Sequence, residues 1–180
     1  GDSVDSLGCT IFSLPATNFK NEITSETCRN SNNGSLKITV DKEYNYTAQL
    51  KGNGIDISQN FSSEVLFDNL EAGTYEMCIT VENQKDYELC YTVIITEPSE
   101  LEVELVNQTN VSCTGGSGSI TVNSVGGNGT PTVTLNGTML LGNSVTFNNL
   151  AVGVYPITVE DENNCEVFSS VEITGSAGVD

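Results

Sequence analysis

Phe67-Asp68-Asn69-Leu70-Glu71-Ala72-Gly73-Thr74-Tyr75 recurs as Phe147-Asn148-Asn149-Leu150-Ala151-Val152-Gly153-Val154-Tyr155, an offset of 147 − 67 = 80 residues. Each copy runs into a β-branched stretch, Ile79-Thr80-Val81 in the first and Ile157-Thr158-Val159 in the second. Agreement at Phe, Asn, Leu, Gly and Tyr inside one nine-residue frame points to a module written twice. Phe and Leu three positions apart, with two polar residues between them, suit a strand end that turns over the edge of a core. Gly73 and Gly153 are expected where the turn needs a positive φ. Tyr75 and Tyr155 then open the next strand. A buried ring with its hydroxyl on nearby backbone is the tyrosine corner of antiparallel sandwiches.

Working outward, 180 residues with this duplication divide into two modules of ordinary domain size. The boundaries read as a lead segment at 1–16, a first module at 17–98, a second at 99–175 and a flexible tail at 176–180. In the first module Phe19 and Ile23 are the earliest inward candidates. Leu36, Ile38 and Val40 alternate along one strand, and Tyr44, Tyr46, Ala48 and Leu50 along the next. Met77 to Thr96 reads as a hairpin with a polar tip at Asn83 to Asp86. Glu97-Pro98-Ser99-Glu100 is the linker, because proline cannot donate to a ladder. The second module repeats the plan: Leu101, Val103 and Leu105 alternate, Ile120 and Val122 point inward, and Asn136-Gly137 marks a tight turn. The expected fold is all-β, two tandem immunoglobulin-like antiparallel β-sandwich domains.

Charge and composition exclude several function classes. With 24 acidic and 6 basic side chains the formal charge is −18, so a nucleic-acid partner would be repelled rather than bound. No apolar run reaches membrane-spanning length, which argues against membrane insertion. The absence of histidine rules out Ser-His-Asp and Cys-His catalysis. Gly115 to Gly118 lead into a strand pattern, without the lysine and helix of a phosphate loop. The chain reads as no enzyme.

Six cysteines without histidine indicate disulfides in an oxidising compartment. Past the second motif the repeat offset becomes 159 − 81 = 78, so Cys165 corresponds to Tyr87 and Cys90 to Phe168. Cys28 and Cys113 are counterparts at the head of each module. The second module then has Cys113 and Cys165 to pair with each other. Cys78 and Cys90 face each other if the hairpin closes at 83–85, which leaves Cys9 for Cys28. The expected bridges are Cys9–Cys28, Cys78–Cys90 and Cys113–Cys165.

Cys113 followed by Gly-Ser-Gly-Ser-Ile-Thr-Val, then Phe147 to Val159, then Glu160-Asp161-Glu162-Asn163-Asn164-Cys165, resembles the SprB-type repeat of Bacteroidetes surface proteins. The first module, with Glu26-Thr27-Cys28, Ala72-Gly73-Thr74-Tyr75 and Tyr87-Glu88-Leu89-Cys90, looks like a sister repeat. The resemblance implies export by the type IX secretion route to the outer face of a Gram-negative bacterium. It also implies tandem modules of large adhesins in gliding motility, or spacers beside secreted enzymes, with neighbouring domains of a longer chain as partners. Gly129-Thr130-Pro131-Thr132 stands where family members tend to have Pro-Pro-Tyr, which removes a loop aromatic.

Two binding chemistries remain as candidates. Glu160, Asp161 and Glu162 gather oxygen ligands at a hairpin tip, and Glu97 and Glu100 flank the linker, so calcium is the one candidate cofactor. Surface glycans or other cell-surface proteins are the alternative partners. A sugar platform needs exposed aromatic rings, and Tyr44, Tyr46 and Tyr91 are the candidates, with Tyr44 and Tyr46 sharing one strand face.

Overall fold

The computed structural model describes residues 2–4, 8, 10–112 and 115–175. The chain forms two compact units. Unit 1 holds the residues up to Glu26 and Asn30–Glu97; unit 2 holds Thr27–Arg29 and the residues from Pro98 on.

Unit 1 is a sandwich of antiparallel strands. They are β1 (Asp2–Val4), β2 (Thr10–Phe12), β3 (Phe19–Thr24), β4 (Gly34–Val40), β5 (Tyr46–Gly52), β6 (Ile55–Phe61), β7 (Glu64–Leu70), β8 (Gly73–Val81) and β9 (Gln84–Ile95). One sheet has the order β3-β4-β7, the other β6-β5-β8-β9, and β1 pairs with β2. Unit 2 has β10 (Glu102–Thr109), β11 (Gly118–Val125), β12 (Thr132–Leu135), β13 (Thr138–Leu141), β14 (Ser144–Leu150), β15 (Gly153–Glu160) and β16 (Glu166–Ile173). Its sheets run β10-β11-β14 and β13-β12-β15-β16. In immunoglobulin lettering each unit is an A-B-E sheet on a C′-C-F-G sheet, and the repeated motif is the corner from E to F.

The corner has a specific construction. Gly34 pairs with Leu70 and Leu36 with Phe67, so two steps along β4 match three along β7. Gly118 with Leu150 and Ile120 with Phe147 repeat the mismatch in unit 2. The extra residue is a β-bulge. It places Asn69 at φ 53° and Asn149 at φ 59°, in the left-handed region that Asn tolerates better than other side-chain-bearing residues. The positive φ expected at Gly73 and Gly153 therefore belongs to the two asparagines. Gly153 lies at φ 159°, close to extended, and Gly73 is not among the positive-φ residues. Opposite the bulge the sheets come too close for a side chain. A Cβ on Gly34 would sit 2.5 Å from Ile95 Cγ2, and one on Gly118 would sit 2.9 Å from Ile173 Cγ2. Both tyrosine corners form: Tyr75 donates its hydroxyl to Glu71 O at 2.8 Å, and Tyr155 to Ala151 O at 3.0 Å.

Each sandwich has its own core. Leu36, Ile38, Leu50, Met77 and Ile79 are fully buried in unit 1, as are Ile120, Val133, Ile157, Val159 and Ile173 in unit 2. Each such side chain contributes about 1.5–3 kcal/mol of burial. The ion pairs Lys20–Asp41, Lys37–Glu64 and Lys51–Asp56 are exposed, where solvent screening leaves such pairs little net effect on stability. Apolar packing therefore decides the fold.

Several positions differ from the sequence expectation. Ile23 is exposed, because β3 is an edge strand whose inward residue is Phe19. Leu105 is exposed at a register shift between Leu105 and Asn107. Residues 10–14 belong to unit 1 rather than to a separate lead: Phe12 and Leu14 pack on its core. The expected tail at 176–180 lies outside the described residues.

Candidate functional site

The aromatic candidates fall at one end of unit 1. Strand β5 begins at Tyr46, so Tyr44 lies in the preceding loop. The Tyr46 ring is buried, stacks on Phe61 with centroids 5.0 Å apart, and meets Phe19 edge-on at 5.5 Å. Its hydroxyl donates to Lys42 O at 2.6 Å and accepts from Asn18 Nδ2 at 3.2 Å. Burial raises its phenol pKa, and the Asn18 hydrogen bond partly opposes that. Tyr46 is thus a third ring that anchors backbone four residues upstream, and it offers no platform to a sugar. Tyr44 is the exposed member, edge-on to Phe12 at 5.3 Å and to Tyr46 at 6.0 Å. Tyr91 is the exception: on β9 and paired with Met77, away from that end, it is half-buried and donates to Asn21 Oδ1 at 2.7 Å. Burial pushes its phenol up to about 12, with the Asn21 hydrogen bond pulling the other way. The structure does not bring Tyr91 into ring contact with Tyr44 or Tyr46 among the stacked pairs of this cluster.

Beside Tyr46 an open groove of about 520 Å³ runs across the ends of β5, β6 and β8. Its polar wall carries Asn45, Thr47, Asn60 and Glu82 beside Phe61. Much of that polarity is already spent. Asn45 Nδ2 donates to Glu82 Oε2 at 2.6 Å, and Thr47 Oγ1 donates to Asn60 Oδ1 at 2.9 Å.

The acidic hairpin tip of unit 2 is a different construction from a cation site. Asp161 is 5% exposed. Its Oδ1 accepts N–H groups from Asn163 at 2.8 Å and Cys165 at 2.9 Å. Its Oδ2 accepts Asn128 N–H at 2.8 Å and Asn128 Nδ2 at 3.2 Å. Burial alone would raise this carboxyl's pKa, but the donors from Cys165, Asn128 and Asn163 hold it below its ordinary value. The Gly126–Thr130 loop wraps this tip. Gly127 at φ 67° leaves room for Asp161, and Glu162 Oε1 accepts Thr130 N–H at 2.9 Å. In unit 1, Glu97 Oε2 accepts Asn30 N–H at 3.1 Å. Asp161, Glu162 and Glu97 therefore serve as loop braces. Glu160 points from the outward face of β15, and Glu100 places its carbonyl against Gly126. Among the described residues the one cluster with metal-ligand spacing is Glu76, Cys78 and Cys90, and its two sulfurs are spent in a disulfide.

Glu26, which the sequence reading left unassigned, is a second buried brace. Its carboxylate takes Ala72 N–H at 2.8 Å and Ser31 N–H at 3.1 Å, tying the loop after β3 to the repeated corner.

Cys78 pairs in register with Cys90 and is bonded to it, with Cα atoms 4.1 Å apart. Cys28 is bonded to Cys165, with Cα atoms 5.6 Å apart, which replaces the expected Cys9–Cys28 and Cys113–Cys165 bridges. The local reason lies within unit 2. Thr27 O accepts from Asn128 Nδ2 at 3.1 Å and Asn163 Nδ2 at 3.2 Å, so the Asp161 loop itself seats the segment carrying Cys28. That Cα separation is in the range a disulfide spans. Cys9 and Cys113 lie outside the described residues.

No family model and no curated protein matches the sequence. Solved structures similar to it include the C-terminal 282-residue fragment of intimin in complex with the intimin-binding domain of the translocated intimin receptor. That match has 12% identity, covers 86% of this chain and 63% of the fragment, and has a TM-score of 0.49. The chain thus spans less than two thirds of that fragment. DIP-gamma IG1+IG2 matches at 11% identity over 89% of this chain and 98% of that one, with a TM-score of 0.44. The fibronectin(III)-like modules of Clostridium thermocellum CbhA match at 10% identity over 88% and 95%, with a TM-score of 0.39. Identity this low transfers no binding property from those proteins to this chain.

Proposed function

We propose that the chain is a non-catalytic tandem segment of a larger secreted or cell-surface protein, serving as a spacer that displays an adhesive or catalytic neighbour. The supporting observation is where the loop polarity goes. Three of the five candidate carboxylates, Asp161, Glu162 and Glu97, accept backbone N–H groups, as does the buried Glu26. Two disulfides fit an exported protein. The type IX route, an outer face of a Gram-negative cell, adhesion and gliding rest on the resemblance to SprB-type repeats and form part of the proposal.

A second reading, recognition of a glycan or surface ligand, has the groove beside Tyr46 and Phe61 in its favour, since about 300–1,000 Å³ is the size of ligand sites. A glycan array probed with the oxidised protein, in calcium and in EDTA, separates the two. The spacer reading expects no reproducible binding in either condition. Binding that disappears on Asn60→Ala would replace it with recognition at the groove, and binding that disappears on Tyr44→Ala with recognition at the exposed ring beside it.

A further inference from the structure

We propose that the outer face of the β13-β12-β15-β16 sheet docks a protein surface on which apolar side chains are interspersed with Lys and Arg. This goes beyond the spacer reading and does not depend on it.

The register builds the face. Thr134 pairs with Met139 and with Thr158, and Thr158 pairs with Phe168, so Met139-Thr134-Thr158-Phe168 forms one row across all four strands. These positions alternate with the buried Val133, Ile157 and Val159, so the row faces outward. Met139 is 66% exposed and Phe168 69%. Leu141 lies on the same face two residues along β13, and Val154 at its far end, and both are as exposed. Single exposed apolar residues are ordinary; four large ones on one sheet face are a contact surface.

The charge selects the partner. All six basic side chains, Lys20, Arg29, Lys37, Lys42, Lys51 and Lys85, precede the linker. From Pro98 to the end there is no Lys or Arg, against Glu100, Glu102, Glu104, Glu160, Asp161, Glu162, Glu166, Glu172 and Asp180. Three of these acids belong to the face itself. Glu160 pairs with Glu166 at one end, and Glu172 pairs with Val154 at the other. Apolar side chains on the edge strands, flanking Thr134 and Thr158 and with acids at both strand ends, complement a mixed apolar and cationic partner and repel a second copy of the same face. Four strands about 4.8 Å apart share two rows about 7 Å apart, and β15 and β16 carry two more, which gives roughly 200 Å², well below the ~800 Å² per partner of a stable interface. The contact should be transient and steered by charge.

The test titrates the full oxidised chain against a labelled peptide of alternating Lys and Leu, with Lys/Ser and Glu/Leu peptides as comparators, at ~50 mM and ~300 mM salt. The expected result is binding of the Lys/Leu peptide at least about tenfold tighter than either comparator, weakened severalfold by salt. The Met139→Ser/Phe168→Ser double variant should lose about tenfold in affinity with its melting temperature unchanged, both side chains being exposed. Leu66→Ser, at an exposed apolar position of unit 1, should bind like the parent. Equal affinity of the double variant, or of the Lys/Ser peptide, would overturn the proposal. So would concentration-dependent dimers of the parent chain that the double variant fails to form, since the occupant would then be a second copy.

Discussion

Replacing Asp161 with Asn removes a charge while keeping the shape, and the structure sets its cost. The parent carboxylate accepts four N–H donors, two on each oxygen. The amide can still face Asn163 and Cys165 with its oxygen, but its NH2 then meets two donors of Asn128. Hydrogen bonds to a charged group contribute about 1.5–3 kcal/mol each, so losing two costs about 3–6 kcal/mol at neutral pH. The pH dependence has a definite sign. The folded carboxyl has a pKa lowered from 3.8, so the folded state binds fewer protons than the unfolded chain in that region. Its contribution is fully present above that ordinary value and is lost as the pH falls through the lower folded value. Urea unfolding of parent and Asp161→Asn from pH 7 down to about pH 2.5, followed by hydrogen exchange in unit 2 peptides, measures the gap. The remaining acids titrate in both proteins and cancel in the difference. The gap should be widest near neutrality and shrink below about pH 4. A gap that stays constant, or widens in acid, refutes the assignment of Asp161 as the charged centre of this loop.

The tyrosine corners should differ in weight. Tyr75→Phe should cost about 1 kcal/mol, since the ring is buried and its hydroxyl bonds Glu71 O, whereas the more exposed Tyr155→Phe should cost about half as much or less; paired thermal melts decide. Thermal unfolding in EDTA and in millimolar calcium should coincide, because Asp161 and Glu162 already hold backbone donors. A calcium-dependent rise of several degrees would restore the cation reading.

The architecture was legible because its signals are local. The repeated nine residues, the alternation of Leu36 and Ile38, and the Asn136-Gly137 turn, at φ 48° and 81°, each act through near neighbours. The facing of Cys78 and Cys90 also followed from hairpin register. What escaped depended on distant segments. Thr27, next to Cys28, is held by Asn128 and Asn163, 101 and 136 residues away, so repeat equivalence matched the wrong cysteines. Asp161 reads as a solvated turn until the glycine-rich loop closes over it. Tyr46 alternates with Ala48 as expected, but it is the stacked ring of Phe61 and the edge contact of Phe19 that cover it. The motif's glycine drew the turn assignment, whereas the asparagine shared by both copies, Asn69 and Asn149, takes the left-handed conformation. A bulge is visible in the sequence only when the partner strand is known.

One bulged corner, written twice, builds both sandwiches. Asn69 and Asn149 are exposed, so substitution there tests backbone conformation with little change in packing. Calorimetry of Asn→Val and Asn→Gly variants at each site is the most direct measurement. Val at either position should destabilise its own unit by about 1–3 kcal/mol, and Gly by no more than a few tenths. Val variants as stable as the parent at both sites would contradict the account.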